Sequence, residues 1–252
     1  MKKRADIRLV ELGLCESRAQ AKRLIMAGQV RIGSDHVVHK PNEQVDEDTI
    51  LRVETPSPYV SRGAEKLLPA LDKFLPDLAG LTALDLGAST GGFTDLMLQR
   101  GAVKVYAVDV GYGQLHGKLR NDTRVICLER VNARRLSHDQ IPEAVDIITA
   151  DVSFISLRKV LPAAAQFLKA GGYAFVLVKP QFEASRHEVG KGGVVRDPEV
   201  RQRCVEEIRS FAGEELQWQC LDTIPSPIQG PKGNQEYICA FRTPLDHRAG
   251  LP

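Results

Sequence analysis

The stretch LDLGASTGGFTD, residues 84–95, decides the fold. An apolar strand runs into a turn carrying Gly87, Gly91 and Gly92, and the amphipathic TDLMLQRG follows at once. A turn built for a dinucleotide needs G-x-G-x-x-G, with the second glycine bare so that backbone can approach a pyrophosphate. Here the order is Gly87, Ala88, Ser89, Thr90, Gly91, Gly92, Phe93, and a side chain stands at Ser89 where that glycine belongs. Phosphate cradling is therefore disfavoured. Asp85, just before the turn, would repel a pyrophosphate yet can receive an ammonium group, directly or through water. A plain strand-to-helix corner is the competing reading.

Working outward, apolar strand-like runs recur at TALDL, VKVYAV, RVICL, VDIITA and YAFVLVK, separated by helical stretches such as TDLMLQRG and RKVLPAAAQFLKAGG. Alternation of this kind implies a parallel sheet with helices on both faces. Asp197 and Pro198 then start a helix whose Val200, Cys204, Ile208 and Phe211 share a face, and WQCLDTI and EYICAF add two late strands. The expected fold is α/β, a Rossmann-like sheet of seven strands. In such sheets the ligand lies beyond the carboxyl ends of the strands. The second strand ends in AVDVG, which puts Asp109 at 24 residues from Asp85, near the spacing at which an acid meets ribose hydroxyls. A ligand with adenosine at one end and an ammonium at the other suits both acids, and S-adenosylmethionine is such a molecule. Asn132, after the third strand, is a candidate for the adenine.

The acceptor then decides which side chains are needed. Methylating a pyrimidine carbon calls for a cysteine nucleophile, and the cysteine near a strand end, Cys127, is on the adenine side. An exocyclic amine calls for Asp or Asn followed by two prolines and an aromatic; Asp151 to Phe154 read DVSF, without prolines. The fifth strand instead ends at Lys179, after the apolar YAFVLV. An ammonium at the end of a buried strand must have its charge paired or suppressed. Aimed at a ribose hydroxyl, it stabilises the negative charge that develops there. Asp151, on the neighbouring strand, is placed to hold it. The competing reading is a lysine that reaches out of the sheet edge to an acid. Lys66 precedes Pro69, whose missing amide suits a first helical turn, so a helix start near Lys66 is expected. Glu236 is expected to open the last strand beside Gly230, Lys232 and Gly233, where it can balance a second lysine.

The rest of the chain is ordinary globular sequence. Among 252 residues, 43% are hydrophobic and 26% charged, which excludes disordered and collagen-like classes. The net charge of +2 is uninformative, but residues 1–40 carry nine Lys or Arg against four acids, a local excess of five. Within them ESRAQAKRLIMAG reads as a helix capped by Ser17, with Gln20 at the third helical position, and ended by Gly28. Ala21, Leu24 and Ile25 share one face; Arg18 and Lys22, four apart, leave a basic stripe exposed. QVRIG, HVVHKP and TILRVE read as strands, with turns at Gly33-Ser34 and Pro41-Asn42, and ETPSPYV as a linker. The five cysteines include no C-x-x-C pair and no His at ligand spacing, so reduced thiols, no metal and a cytoplasmic setting are expected. No run of about 18 apolar residues occurs, and no membrane span is expected.

In this order, YVSRGAEKL, LDLGASTGGFTD, ADVSFISL, LVKPQFE, VGKGGVVRD and GNQEYICAF resemble the TlyA, or hemolysin-like, ribosomal RNA methyltransferases, a branch of the FtsJ ribose methyltransferase class. The resemblance spans nearly the whole chain. It implies a Lys-Asp-Lys-Glu catalytic tetrad at Lys66, Asp151, Lys179 and Glu236, and a donor site at Asp85, Gly87, Ser89, Thr90, Gly91, Gly92, Phe93, Asp109, Asn132 and Asp151. RADIRLVELGLCESRAQAKRLIMAGQVRIG resembles the small α+β RNA-binding module shared by a ribosomal small-subunit protein, pseudouridine synthases and tyrosyl-tRNA synthetases. Ile32-Gly33-Ser34 departs from the Val-Asn-Gly of many members, at a turn rather than on the basic helix.

The resulting expectation is an RNA-binding domain at 1–53, a linker at 54–60 and a methyltransferase domain at 61–245. The reaction implied is S-adenosylmethionine-dependent methylation of cytidine 2′-hydroxyls in ribosomal RNA, by a monomer acting on ribosomal subunits. Arg4, Arg18, Lys22 and Arg23 are candidate phosphate contacts; His187, Lys191 and Arg196, in SRHEVGKGGVVRD, are candidate clamps on the substrate. Two other classes compete: a membrane-active hemolysin, and a non-catalytic RNA-binding protein that assists ribosome assembly.

Overall fold

The computed structural model describes residues 2–33, 36–53 and 57–245. Ser34 of the expected Gly33-Ser34 turn, and Glu54, Thr55 and Pro56 of the expected linker, lie outside the described residues. The chain divides into two compact units, Met1–Pro58 and Tyr59–Pro252.

The first unit comprises β1 (Lys2–Arg4), α1 (Ala5–Glu11), α2 (Arg18–Met26), β2 (Val30–Ile32), β3 (His36–Val37), β4 (Gln44–Asp46) and β5 (Leu51–Val53). The capping expected of Ser17 is present: its hydroxyl accepts the Gln20 amide at 3.2 Å, and Gly28 takes a φ of +68° after the helix. Strands β2, β3 and β5 form one antiparallel sheet, and β1 pairs with β4 in another. HVVHKP contributes only the two residues of β3. Strands β1 and β4 and helix α1 have no counterpart in the sequence reading, because three-residue strands rich in Lys, Arg, Gln and Asp carry almost no hydrophobic alternation. Leu9, Ala21, Ile25, Val30 and Leu51 meet in a small core.

The basic stripe is partly structural. Asp6 is wholly buried, and its two oxygens accept from Arg4 Nε at 2.9 Å and from Arg18 Nη2 at 3.2 Å. Burial works to raise the Asp6 pKa, and the two guanidinium groups outweigh it, holding the carboxyl below its usual range. Lys22 and Arg23 are exposed and form no ion pair among the described residues.

The second unit comprises α3 (Ala64–Phe74), β6 (Thr82–Leu86), α4 (Gly92–Gln99), β7 (Lys104–Asp109), α5 (Gly117–Arg120), β8 (Val125–Glu129), β9 (Val145–Ala150), α6 (Leu161–Ala165), β10 (Leu168–Val178), α7 (Pro180–Glu183), α8 (Pro198–Glu215), β11 (Gln219–Pro225) and β12 (Tyr237–Arg242). Its seven strands lie in the order β11-β12-β10-β9-β6-β7-β8. The sheet is parallel except for β12, which runs antiparallel to both its neighbours. Burial follows the two-residue period of a strand. Leu84 and Leu86 face the layer of α6 and α8, while Ala83 faces the layer of α3 and α4. With both faces covered, each buried Leu or Phe contributes about 1.5–3 kcal/mol.

Two expectations need correction. RKVLPAAAQFLKAGG yields only a short 3-10 turn and the five-residue α6, because the Phe167 carbonyl accepts the Val145 amide at 2.7 Å and Leu168 pairs with Val145. The ladder to β9 thus claims the residues that would have extended the helix. Pro69 lies at the sixth position of α3, inside the helix rather than in its first turn, although Lys66 does lie at the helix start, third in α3. Among the described residues no helix is long and apolar enough to cross a membrane.

Candidate active site

Strand β6 is central, and the chain leaves it toward β7 and β8 on one side before returning to β9 on the other. The carboxyl ends of β6 and β9 therefore flank the point where strand order reverses, which is where open α/β sheets hold their ligands. Gly87 follows β6 and Asp151 follows β9; the Asp151 amide donates to the Leu86 carbonyl at 2.9 Å. Gly87 has a φ of +78°, and a Cβ there would stand 2.5 Å from the Asp151 carbonyl oxygen, so only glycine lets the two ends close together. Ser89 is also left-handed, at +49°.

Two adjoining cavities open at this point. The smaller, of about 170 Å³, is lined by Ser61, Gly63, Asp85, Gly87, Ser89, Thr90, Gly92, Phe93, Asp151, Ser153 and Lys179, among others. The larger, of about 460 Å³, runs past Asp109 and Asn132 between the apolar Val131, Ala133, Val152, Ile155 and Val160. Gly91 lines neither: with a φ of +100° it packs under the turn, where a Cβ would meet the Leu119 side chain. Cys127 lines neither as well.

The acids are already partnered. Asp85 is wholly buried, and its two oxygens accept the hydroxyls of Thr94 at 2.6 Å and Thr149 at 2.8 Å. Burial pushes its pKa up to about 6 against the lowering effect of those two bonds. Both Asp109 oxygens accept backbone amides, from Ser89 at 2.8 Å and Gly111 at 2.7 Å, so this carboxylate fixes the glycine turn as well as facing the larger cavity. The Asn132 side chain accepts the Arg134 amide at 3.1 Å, capping a 3-10 turn.

A continuous line of charge begins at the smaller cavity with Lys179 and Asp151 and runs behind it to Lys66 and Glu236, which line neither cavity. Lys179, one residue past β10, places Nζ 2.6 Å from Asp151 Oδ1 and 2.8 Å from Ser153 Oγ. Lys66 Nζ is 3.9 Å from Asp151 Oδ2 and 2.7 Å from Glu236 Oε2. Glu236 is wholly buried, immediately before β12 rather than inside it, and accepts from the Gln181 side-chain Nε2 at 3.3 Å. Two ammonium groups and two carboxylates thus alternate across four elements. Lys179 is almost buried, while Asp151 keeps 22% of its side chain exposed toward the cavity mouth. Such a line holds a cation rigidly, desolvated and aimed at a cavity, which is what stabilising a nascent oxyanion requires.

Other residues of the site went unnoticed in the sequence. Ser153 is two residues after Asp151, beyond the end of β9, and both reach Lys179 Nζ; the two-residue period of the strand, carried on, was a usable signal. Ser61 and Gly63 pack against the turn so closely that a Cβ on Gly92 would stand 2.4 Å from Ser61 Oγ. Phe154 is 91% exposed with a φ of +63°. A left-handed aromatic residue costs about 1–3 kcal/mol and persists where its surroundings enforce it. Its ring lies 5.0 Å from that of Phe182, at the edge of the larger cavity. Lys191 and Arg196 are exposed, on a loop whose backbone is tied to the buried Asn234: the Val195 amide donates to Asn234 Oδ1 at 3.1 Å, and Asn234 Nδ2 donates to the Gly193 carbonyl at 2.9 Å.

Comparison with known proteins gives the family of each unit. The family model described as FtsJ-like methyltransferase matches residues 59–243, and the S4 domain model matches residues 3–51. The 16S/23S rRNA (cytidine-2'-O)-methyltransferase TlyA of Mycobacterium tuberculosis is 49% identical over 245 residues, covering 96% of this chain and 91% of that protein. Hemolysin A of Brachyspira hyodysenteriae is 41% identical over 233 residues, covering 91% of this chain and 95% of that protein. A solved hemolysin-named structure from Streptococcus thermophilus superposes with a TM-score of 0.75 at 42% identity, covering 96% of this chain and 89% of that one.

Proposed function

The chain belongs to the FtsJ-like methyltransferase family, and from that premise we propose that it methylates ribose 2′-hydroxyls of cytidine in ribosomal RNA, with S-adenosylmethionine as donor. The observation that carries this reading is the ion-paired line Lys179–Asp151–Lys66–Glu236, of which Lys179 and Asp151 line the smaller cavity while Lys66 and Glu236 stand behind them. In this role Lys179 stabilises the negative charge that grows on the acceptor oxygen. Asp151 holds Lys179, Glu236 holds Lys66, and Lys66 helps to position the acceptor.

The residues present suit the donor. Gly87 and Ser89 line both cavities, Thr90, Gly92 and Phe93 line the smaller one, Asp109 faces the ribose, and Asn132 with the apolar walls of the larger cavity takes the adenine. Asp85 lies on the ammonium side, acting through its hydrogen-bonded shell. When bound, the donor supplies a methyl group activated by its sulfonium. Phe154, exposed at the cavity edge beside Phe182, offers a face on which the acceptor base stacks.

Residues 1–53 are the RNA-binding domain, joined through 54–60 to the methyltransferase domain at 61–245. Lys22 and Arg23 meet phosphates, Arg4 and Arg18 do so from their pairing with Asp6, and Lys191 and Arg196 hold the substrate near the site. A ribosomal RNA substrate supports a cytoplasmic setting for the reaction.

The direct test is incubation with isotopically labelled donor and ribosomal subunits, followed by mass-spectrometric mapping of methylated nucleotides. Label on cytidine ribose supports the proposal; label on bases only, or none, overturns it. Replacing Asp109 with alanine removes the acceptor of two turn amides along with the ribose contact. It should weaken donor binding about 10–100-fold, as lost charge-assisted hydrogen bonds do, measured by calorimetry.

Asp85 makes donor binding depend on pH. Its folded pKa of about 6 lies above the unfolded value near 3.9, so the folded chain binds the extra proton between them. The stability contribution is then complete below about 3.9 and lost as pH rises through 6. An ammonium ligand favours the ionised form, so donor affinity should fall by up to about tenfold per unit below pH 6. Asp85→Asn should flatten that profile; a wild-type affinity constant from pH 5 to 8 would contradict it.

A further inference from the structure

We infer that Glu183 is a positioning residue for the acceptor, clasping the segment that carries Phe154 to the segment that carries Lys179. The inference rests on the ribose methylation reading and deepens its acceptor side. Glu183 ends α7, four residues past Lys179. Its Oε2 accepts the Ser156 hydroxyl at 2.6 Å and its Oε1 accepts the Leu157 amide at 2.8 Å. Ser156 and Leu157 follow Phe154 by two and three residues. One carboxylate therefore ties the chain leaving β9 to the chain leaving β10, and these two segments supply Asp151 and Lys179.

The cost of this arrangement shows that it is specific. Glu183 is half-buried, and desolvation raises its pKa against those two bonds and the charge of Arg158, with which it forms no ion pair. A carboxylate drawn partly out of water is held by the donors it accepts from, and here both donors, Ser156 and Leu157, belong to one loop. That loop contains Phe154, whose left-handed φ of +63° requires enforcement from its surroundings. The neighbour of Glu183, Phe182, meets the Phe154 ring at 5.0 Å and lies 5.9 Å from Lys179 Nζ. The clasp thus sets an aromatic face at a fixed distance from the ammonium. A base on that face presents its sugar to Lys179, while none of the hydrogen bonds of Asp109 and Asn132 at the donor cavity involves Glu183 or its loop.

The test is steady-state methylation of ribosomal subunits by Glu183→Ala, Glu183→Gln, Ser156→Ala and Phe154→Ala, with donor affinity measured by calorimetry. Glu183→Ala should lower kcat/KM for RNA by about 10²-fold, as loss of positioning does, with donor Kd within about twofold of wild type. Glu183→Gln keeps the Leu157 bond and can reverse the polarity of the Ser156 bond, so it should restore activity to within a few-fold. The decisive readout is a double-mutant cycle. If Glu183 acts through the Phe154 loop, Glu183→Ala should cost little once Phe154 is alanine. Additive losses, or donor binding that weakens in parallel with RNA turnover, overturn the inference. Should Glu183→Ala fail to fold, Ser156→Ala decides: a selective few-fold loss on the RNA side supports the clasp, and wild-type kinetics refute it. Absence of ribose methylation by the unaltered protein would instead count against the parent reading.

Discussion

Lys179→Ala should reduce the turnover of ribosomal RNA by about 10²–10³-fold, the loss typical of removing one preorganised donor to an oxyanion, while donor Kd changes by no more than a few-fold. The ammonium is held at 2.6 Å from Asp151 and 2.8 Å from Ser153, almost out of solvent, so it needs no reorganisation when charge develops on the acceptor oxygen. Removing it leaves the walls of the larger cavity intact, and the donor should still be held by the turn and Asp109. Single-turnover measurements at saturating donor and RNA isolate the chemical step from binding. Unchanged single-turnover rates would assign Lys179 to structure alone and end its proposed role. Asp151→Asn should cost less if Ser153 still holds the ammonium, and more if the carboxylate's charge is what fixes Lys179.

How much of this could be read beforehand differs between the sheet and the site. Strands β6 to β10 were legible because buried parallel strands are near-continuous apolar runs, and β6 is buried at every position. The first unit was less so: β1 and β4 satisfy their backbone groups in a two-stranded pairing whose side chains are mostly solvated. Within the site, Lys179 and Asp151 were suggested by strand ends, but Lys66 and Glu236 lie 170 residues apart and meet only through the fold. Their link came from ordered resemblance. Phe154 was invisible for a different reason, since a left-handed backbone at phenylalanine contradicts its own local preference and arises from tertiary bonds such as those of Glu183. The Arg4 and Arg18 pairing with Asp6 likewise turns a stripe that sequence reads as free charge into one half of a structural ion pair.

Lys66→Ala should have the largest effect on stability, because it strands Glu236. That carboxylate is wholly buried, its Oε2 is 2.7 Å from Lys66 Nζ, and its remaining side-chain contact is the Gln181 side-chain Nε2 at 3.3 Å. The chain also closes over it: a Cβ on Gly230 would stand 2.1 Å from Glu236 Oε1, so the carboxylate has little room to reach water. Breaking a buried pair by deleting one partner costs about 3–5 kcal/mol, a large share of the roughly 5–15 kcal/mol that holds a domain together. Urea denaturation should therefore place Lys66→Ala well below wild type. The paired replacement Lys66→Met with Glu236→Gln removes both charges and should recover most of that loss, since the penalty belongs to the orphaned ion rather than to the pair. It should not recover methyl transfer, because the acceptor would face Lys179 without the second ammonium. If the double variant were as unstable as Lys66→Ala, packing of the lysine stem would be the dominant contribution. If it were fully active, the outer half of the charged line would have no part in the chemistry.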